Sequence, residues 1–209
     1  MSTTKRKHTI KVIKPVIERF ILREDTIKEI KGMTPKFGFN ELGRVVFRRT
    51  YSRDNESWHD VVIRVTQGVM SIRKEHCSRN SLEWCDETWQ QFAHDMAVSM
   101  FKMEWLPPGR GLWMMGTQFT YERGSTSLNN CSATDTTNDI VNSAEWTMDC
   151  LMNGVGVGFS THWRGSAIEP DKKDSEVFII PDSREGWVES LIQLMCSYIN
   201  SPKYGKNKF

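Results

Sequence analysis

The sequence predicts an α/β fold with a helical first half and a strand–loop–helix–strand–strand–helix second half. Three observations lead there. Apolar residues step by three or four over 87–105 (Trp89, Phe92, Met96, Met100, Met103) and again over 140–152 (Ile140, Ala144, Met148, Leu151, Met152). That is the period of helices with one buried face. Short apolar runs at 157–161 and 176–180 read as strands. Two or three such strands cannot bury both faces alone, so the second half reads as the opening of a larger sheet or barrel. This places a mostly helical region over 1–105, with a strand near 43–51, and the opening of an α/β sheet or barrel over 106–209.

In chain order, residues 1 to about 36 are charged and helix-prone, with Ile17, Phe20, Ile21 and Ile27 at helical spacing; Thr34-Pro35 and Gly38 break the pattern. Gly43 to Tyr51 alternates and predicts a strand. Trp58, Val61, Val62, Val65 and Val69 return to helical spacing, and 71–86 is polar and irregular. The helix over 87–105 ends at Pro107-Pro108, because proline disfavours helix in the residue before it. A Gly-rich loop follows, and Cys131 to Thr137 shows no clear period. The helix over 140–152 stops at Asn153-Gly154. Asp182 and Glu185 resemble a capping box opening a last helix with Trp187, Leu191, Leu194, Met195 and Tyr198. The tail from Ser201 reads as loose.

Composition excludes several classes. With 28 basic and 26 acidic residues, there is no general polyanion-binding signal. The basic run Lys5-Arg6-Lys7, with Lys11 and Lys14, reads as a solvated terminus in preference to a nucleic-acid arm. No apolar run could span a bilayer, and no signal-peptide pattern opens the chain. Five cysteines at irregular spacing without CxxC argue against a disulfide framework and for a cytoplasmic protein. Eight tryptophans hint at surfaces meant to be covered.

The chemistry-bearing candidates are few. Cys131 follows Asn129-Asn130, residues tolerant of turn geometry; it is either a small core residue or a thiol exposed for reaction. Gly154-Val155-Gly156-Val157-Gly158 follows a helix, so it is no dinucleotide fingerprint, and no Gly-Lys-Ser/Thr ending makes it a P-loop. Either a ligand or backbone lies on a strand kept bare of side chains, or the glycines permit a tight sheet–helix crossing. His76-Cys77, Cys85 and His94 fit no familiar zinc spacing, and no metal site is expected.

Taken in order, Phe47-Arg48-Arg49-Thr50-Tyr51-Ser52-Arg53, Pro107-Pro108-Gly109-Arg110-Gly111-Leu112-Trp113-Met114-Met115-Gly116-Thr117 and Ser127-Leu128-Asn129-Asn130-Cys131 resemble one family, the adenosylcobalamin-dependent (class II), monomer-type ribonucleoside-triphosphate reductases. Met152 to Ser160 and Pro181 to Val188 add two further collinear matches. The resemblance runs from about residue 37 to about residue 199.

The resemblance implies a ten-stranded α/β barrel behind a helical N-terminal region, incomplete in this chain. It implies cobalamin-initiated radical chemistry at a barrel-loop cysteine, followed by reduction of the ribose 2′ carbon by a cysteine pair. Cys131 matches the first cysteine of that pair, reset as a disulfide by a thioredoxin-like dithiol. Asn130 and Gly156 match substrate-contacting positions, and Pro107 stands where relatives often have a threonine near the phosphates. The helix carrying Ser143 and Asp149 matches a region linked with a deoxynucleotide effector. The radical cysteine, the second cysteine of the pair and most cobalamin contacts fall beyond Phe209 in the family pattern. Cys150 and Cys196 lack the needed motifs. The expectation is therefore an N-terminal fragment of a split reductase, inactive alone, paired with a second chain carrying the remainder of the barrel. The alternative is a non-catalytic nucleotide-binding or regulatory module acting on a reductase.

Overall fold

The computed structural model describes residues 18–35, 40–170 and 177–205. The basic run at 5–14, Ile17, Gly38, Glu176 and the last four residues lie outside them. The described residues fall into two compact units that part between Gly124 and Ser125. The change of character had been expected at 105/106 instead.

The first unit is helical: α1 (Glu24–Gly32), α2 (Glu41–Thr50), α3 (Trp58–Arg79), α4 (Asp86–Phe101), α5 (Gly109–Met114) and α6 (Gln118–Arg123). α3 is the spine, packing against α1, α4 and α5. Val61, Val62, Val65 and Met70 form its buried stripe, and α4 answers with Ala93, Ala97, Met100 and Phe101. The small Ala93 and Ala97 let the helices approach closely. Trp58, buried at the start of α3, donates its indole N–H to the Phe101 carbonyl at 3.1 Å. Its neighbour Phe47 meets it edge-on at 5.9 Å.

Several expectations are corrected here. The strand expected near 43–51 is the helix α2. Asn40 caps it, accepting from the Gly43 N–H at 2.6 Å; Glu41 sits in its first turn, and Arg48 and Arg49 in its last. Those end signals complement the helix dipole and outweigh a short alternation. The irregular stretch 71–86 is helical as far as Arg79, because the buried Cys77 continues the α3 stripe. The buried face of α4 is Gln90, Ala93, Ala97 and Met100; the expected Trp89, Met96 and Met103 pack at the margin of this core, and Phe92 is half exposed. Part of the expected Gly-rich loop is α5, held on α3 by the Arg64 guanidinium, which donates to the carbonyls of Leu112 and Met115 and pairs with Glu56. Gly116 (φ 76°) passes so near Gly68 that a Cβ on Gly68 would lie 2.5 Å from the Gly116 nitrogen.

The second unit contains β1 (Cys131–Thr134), α7 (Ile140–Met152), β2 (Gly156–Phe159) and α8 (Arg184–Tyr198). β1 and β2 pair in parallel, so α7 is their crossover helix, and it packs on both strands and along α8. Val141, Val188, Ile192 and Cys196 form the core between the two helices. β1 forms where the sequence predicts no element, because four residues of mixed polarity carry no readable period. The strand expected over 176–180 is not formed over 177–180. Ser183, not Asp182, caps α8, accepting from the Gly186 N–H at 3.0 Å. Among the described residues no helix is long and apolar enough to cross a membrane.

Candidate active site

The ladder register sets Cys131 opposite Gly156, Ser132 opposite Val157, Ala133 opposite Gly158 and Thr134 opposite Phe159. Side chains alternate along each strand, so Cys131 and Ala133 stand on the same face as Gly156 and Gly158. That face is solvent-exposed. It carries one thiol, one methyl and two stretches of bare backbone. The other face turns Ser132 and Val157 toward α7, where Ser132 lies beside the buried Cys150.

The glycines of this face are not needed by the chain's own packing. A Cβ on Gly156 would meet only the Asn130 carbonyl at 3.6 Å, and one on Gly158 only the Ser132 carbonyl at 3.9 Å. Both are ordinary contacts, and neither residue has positive φ. The tight sheet–helix crossing is thereby excluded. Gly154 differs: at φ 78° it follows α7 in a left-handed turn, with its N–H donating to Leu151 at 2.8 Å.

Asn130 is joined directly to this face. Its carbonyl accepts from the Gly156 N–H at 2.9 Å, and its side chain is exposed. Cys131, Asn130 and Gly156 are thus brought together within two rungs of one ladder. Cys131 is exposed and free, as is Cys85, whereas Cys77, Cys150 and Cys196 are buried. Burial pushes the Cys196 thiol up to about 11 and the Cys150 thiol upward.

The other predicted residues lie elsewhere. Pro107 is in the first unit, its ring against Gly111 at the start of α5. Ser143 is buried on α7, with its hydroxyl donating to the Asp135 and Asp139 carbonyls at 2.7 and 3.0 Å. The Asp149 carboxylate pairs with Arg184 of α8 at 3.0 Å. Both are engaged in holding α7.

One feature had no reading in the sequence. At the carboxyl ends of the strands, Asp135 accepts from the hydroxyls of Ser160 (2.5 Å) and Thr137 (2.7 Å) and from the Thr137 N–H (3.1 Å). These bonds hold its carboxyl down at about 2. Thr136 closes the knot, donating to the Ser160 carbonyl at 2.9 Å. Asp-Thr-Thr is an Asx-turn signature that could have flagged it. Beside the knot a cavity of about 550 Å³ opens between α7, α8 and the 159–163 segment, walled by Ile140, Met148, Leu151, Phe159, Trp163 and Met195. Among the described residues no cluster of three or more His, Cys, Asp or Glu side chains could hold a metal ion. His94 instead pairs with Glu29 and Asp95.

Residues 22–117 match the ribonucleotide reductase alpha-domain family. The chain is 39% identical over 194 residues to an adenosylcobalamin-dependent ribonucleoside-triphosphate reductase of Euglena gracilis, covering 87% of this chain and 27% of that protein. It is 36% identical over 213 residues to a probable adenosylcobalamin-dependent ribonucleoside-triphosphate reductase of Dictyostelium discoideum, covering 89% and 28%. A crystal structure of a B12-dependent (class II) ribonucleotide reductase superposes with a TM-score of 0.68 at 22% identity, covering 90% of this chain and 34% of that one. The chain therefore spans about a quarter of the length of these curated relatives.

Proposed function

We infer that this chain, whose residues 22–117 carry the ribonucleotide reductase alpha domain, supplies the N-terminal part of a cobalamin-dependent ribonucleoside-triphosphate reductase. The remainder of the barrel comes from polypeptide outside these 209 residues, on a second chain in the split form the sequence predicts. The supporting observation is the exposed Cys131 thiol on a sheet face that Gly156 and Gly158 leave bare without any packing need.

On this reading the ribose of a ribonucleoside triphosphate lies along the glycine face, with Asn130 at its edge. The Cys131 thiol and a second thiol supplied from outside the chain give up two electrons and two protons, one proton to the departing 2′ hydroxyl and one hydrogen to the 2′ carbon. The 2′ hydroxyl leaves as water, and the thiols end as a disulfide, which a thioredoxin-like dithiol reduces. Ser143 and Asp149 serve the deoxynucleotide effector region as scaffold, holding α7.

Adenosylcobalamin starts the radical chemistry in the named relatives. The cavity beside the Asp135 knot does not fit it. Its walls are mostly aliphatic and aromatic, and the hydroxyls of Thr136, Ser143 and Ser160 are engaged by the chain's own groups. A corrin fringed with amides needs polar partners there. The cofactor site is accordingly assigned to the remainder of the barrel.

The test mixes the chain with polypeptide carrying that remainder, adenosylcobalamin, a ribonucleoside triphosphate and a dithiol. Deoxyribonucleotide should form only in the mixture, vanish with Cys131→Ser and survive Cys85→Ser. Inhibition of an intact reductase with no product in the mixture would favour the regulatory reading instead.

A further inference from the structure

We propose that α2 is a docking face for an acidic amphipathic helix of a partner polypeptide. α2 has ten residues, and of these only Phe47 is buried. Leu42, Val45 and Val46 are exposed at 72%, 59% and 42%. Their spacing of three and four puts them on one stripe, with Arg49 continuing it. Arg44 and Arg48 flank that stripe, and both are exposed. Arg44, Arg48 and Arg49 make no ion pair among the described residues; of the next two carboxylates in the chain, Asp54 pairs with none of the three and Glu56 is taken by Arg64. Other exposed apolar side chains of this unit, such as Ile21, Leu82 and Phe92, lie outside α2. Here the apolar side of a helix faces water and three guanidiniums border it.

The charge pattern selects the occupant. A helix laid into this stripe would meet three aliphatic side chains along its apolar face and guanidiniums along the rim, which suit carboxylates because their planar forks bind them in pairs. A second copy of α2 would bring arginines against arginines. Residues 1–17 of this chain carry Lys5, Arg6, Lys7, Lys11 and Lys14 and are repelled in the same way. A bilayer is disfavoured, since the one aromatic of α2 points into the core and three aliphatic side chains are a small apolar face to insert. Docking would also supply α2 with the packing that a helix this short lacks by itself.

The test titrates the 209-residue chain into a fluorescein-labelled heptad peptide of leucine, alanine and glutamate and follows anisotropy. The expected result is saturable binding, absent for the same peptide with lysine in place of glutamate. Arg48→Glu with Arg49→Glu should weaken binding by roughly tenfold or more and create binding of the lysine peptide. Val45→Ser should weaken binding of the glutamate peptide without creating binding of the lysine one. Far-UV circular dichroism checks that each variant keeps its helices; if the charge reversal unfolds, Arg48→Gln with Arg49→Gln takes its place and should lose binding of the glutamate peptide. Equal binding of both peptides, no binding of either, or binding only to phosphatidylserine-containing vesicles would overturn the proposal.

Discussion

In residues 18–124 the buried apolar set runs from Phe20 to Leu112 and joins α1, α2, α3, α4 and α5 around Phe101, Ile30 and Met70. In residues 125–205 the main cluster is Val141, Val188, Ile192 and Cys196, while Val177 and Ile179 are 91% and 84% exposed and Phe159, Leu151 and Leu194 are more than half exposed. Both stretches are built from similar residue types. The first is helical and closes one large core, with the outer stripe of α2 left open, because a helix satisfies its own backbone and needs only side-chain contacts from its neighbours. The second is organised by two parallel strands, which leave outer edges and a face for other groups to complete. A unit that closes itself can be rigid; a unit left open is where a substrate and further chain can enter.

The sharpest way to break this contrast is to open the first core. Phe101→Ala should cost about 3–5 kcal/mol, read as a lowered urea midpoint, because the ring is 1% exposed and its site is walled by helices. Next is Gly68→Ala, expected to cost about 1–3 kcal/mol, since its Cβ would press on the Gly116 backbone. An equal response of the second unit to either change would refute their independence.

A pH titration probes the second unit. The Asp135 carboxyl is held at about 2 against an ordinary 3.8, so its hydrogen bonds add stability that is fully present above about pH 4 and lost as the pH falls toward 2. Asp135→Asn should flatten that limb of an acid titration, and an unchanged profile would remove the knot from the account. His94 works with the opposite sign in the first unit. Asp95 and Glu29 raise its pKa, so the clasp between α1 and α4 is complete below 6.5 and weakens as the pH rises above it. His94→Gln should abolish that alkaline loss.

The smallest expected effect is the most discriminating. Gly158→Ala should change stability by less than about 1 kcal/mol, because its Cβ meets only ordinary contacts. The same substitution should abolish reductase activity in the reconstituted mixture, since the methyl would stand where the proposed sugar lies. A stable and active variant would separate the glycine face from function.

The sites were partly legible. Cys131, Asn130 and Gly156 were singled out from motifs, and the structure sets them on one ladder. The 140–152 helix was read closely, because its apolar period and its Asn153-Gly154 stop are local signals. The α2 error shows the limit of such signals: a nine-residue alternation competed with caps at both ends, and the caps prevailed. The Asp135 knot escaped because Ser160 is distant in sequence and no period links the two.

From sequence alone came what short-range chemistry carries: the existence of the longer amphipathic helices, the Asn153-Gly154 stop of α7, and the candidate thiol and glycines. Only the tertiary structure decided that Cys131 stands on the exposed side of its strand and that the glycines opposite it owe nothing to internal packing. Side-chain face depends on strand register, and register is set by partners 25 residues apart, which no local pattern specifies.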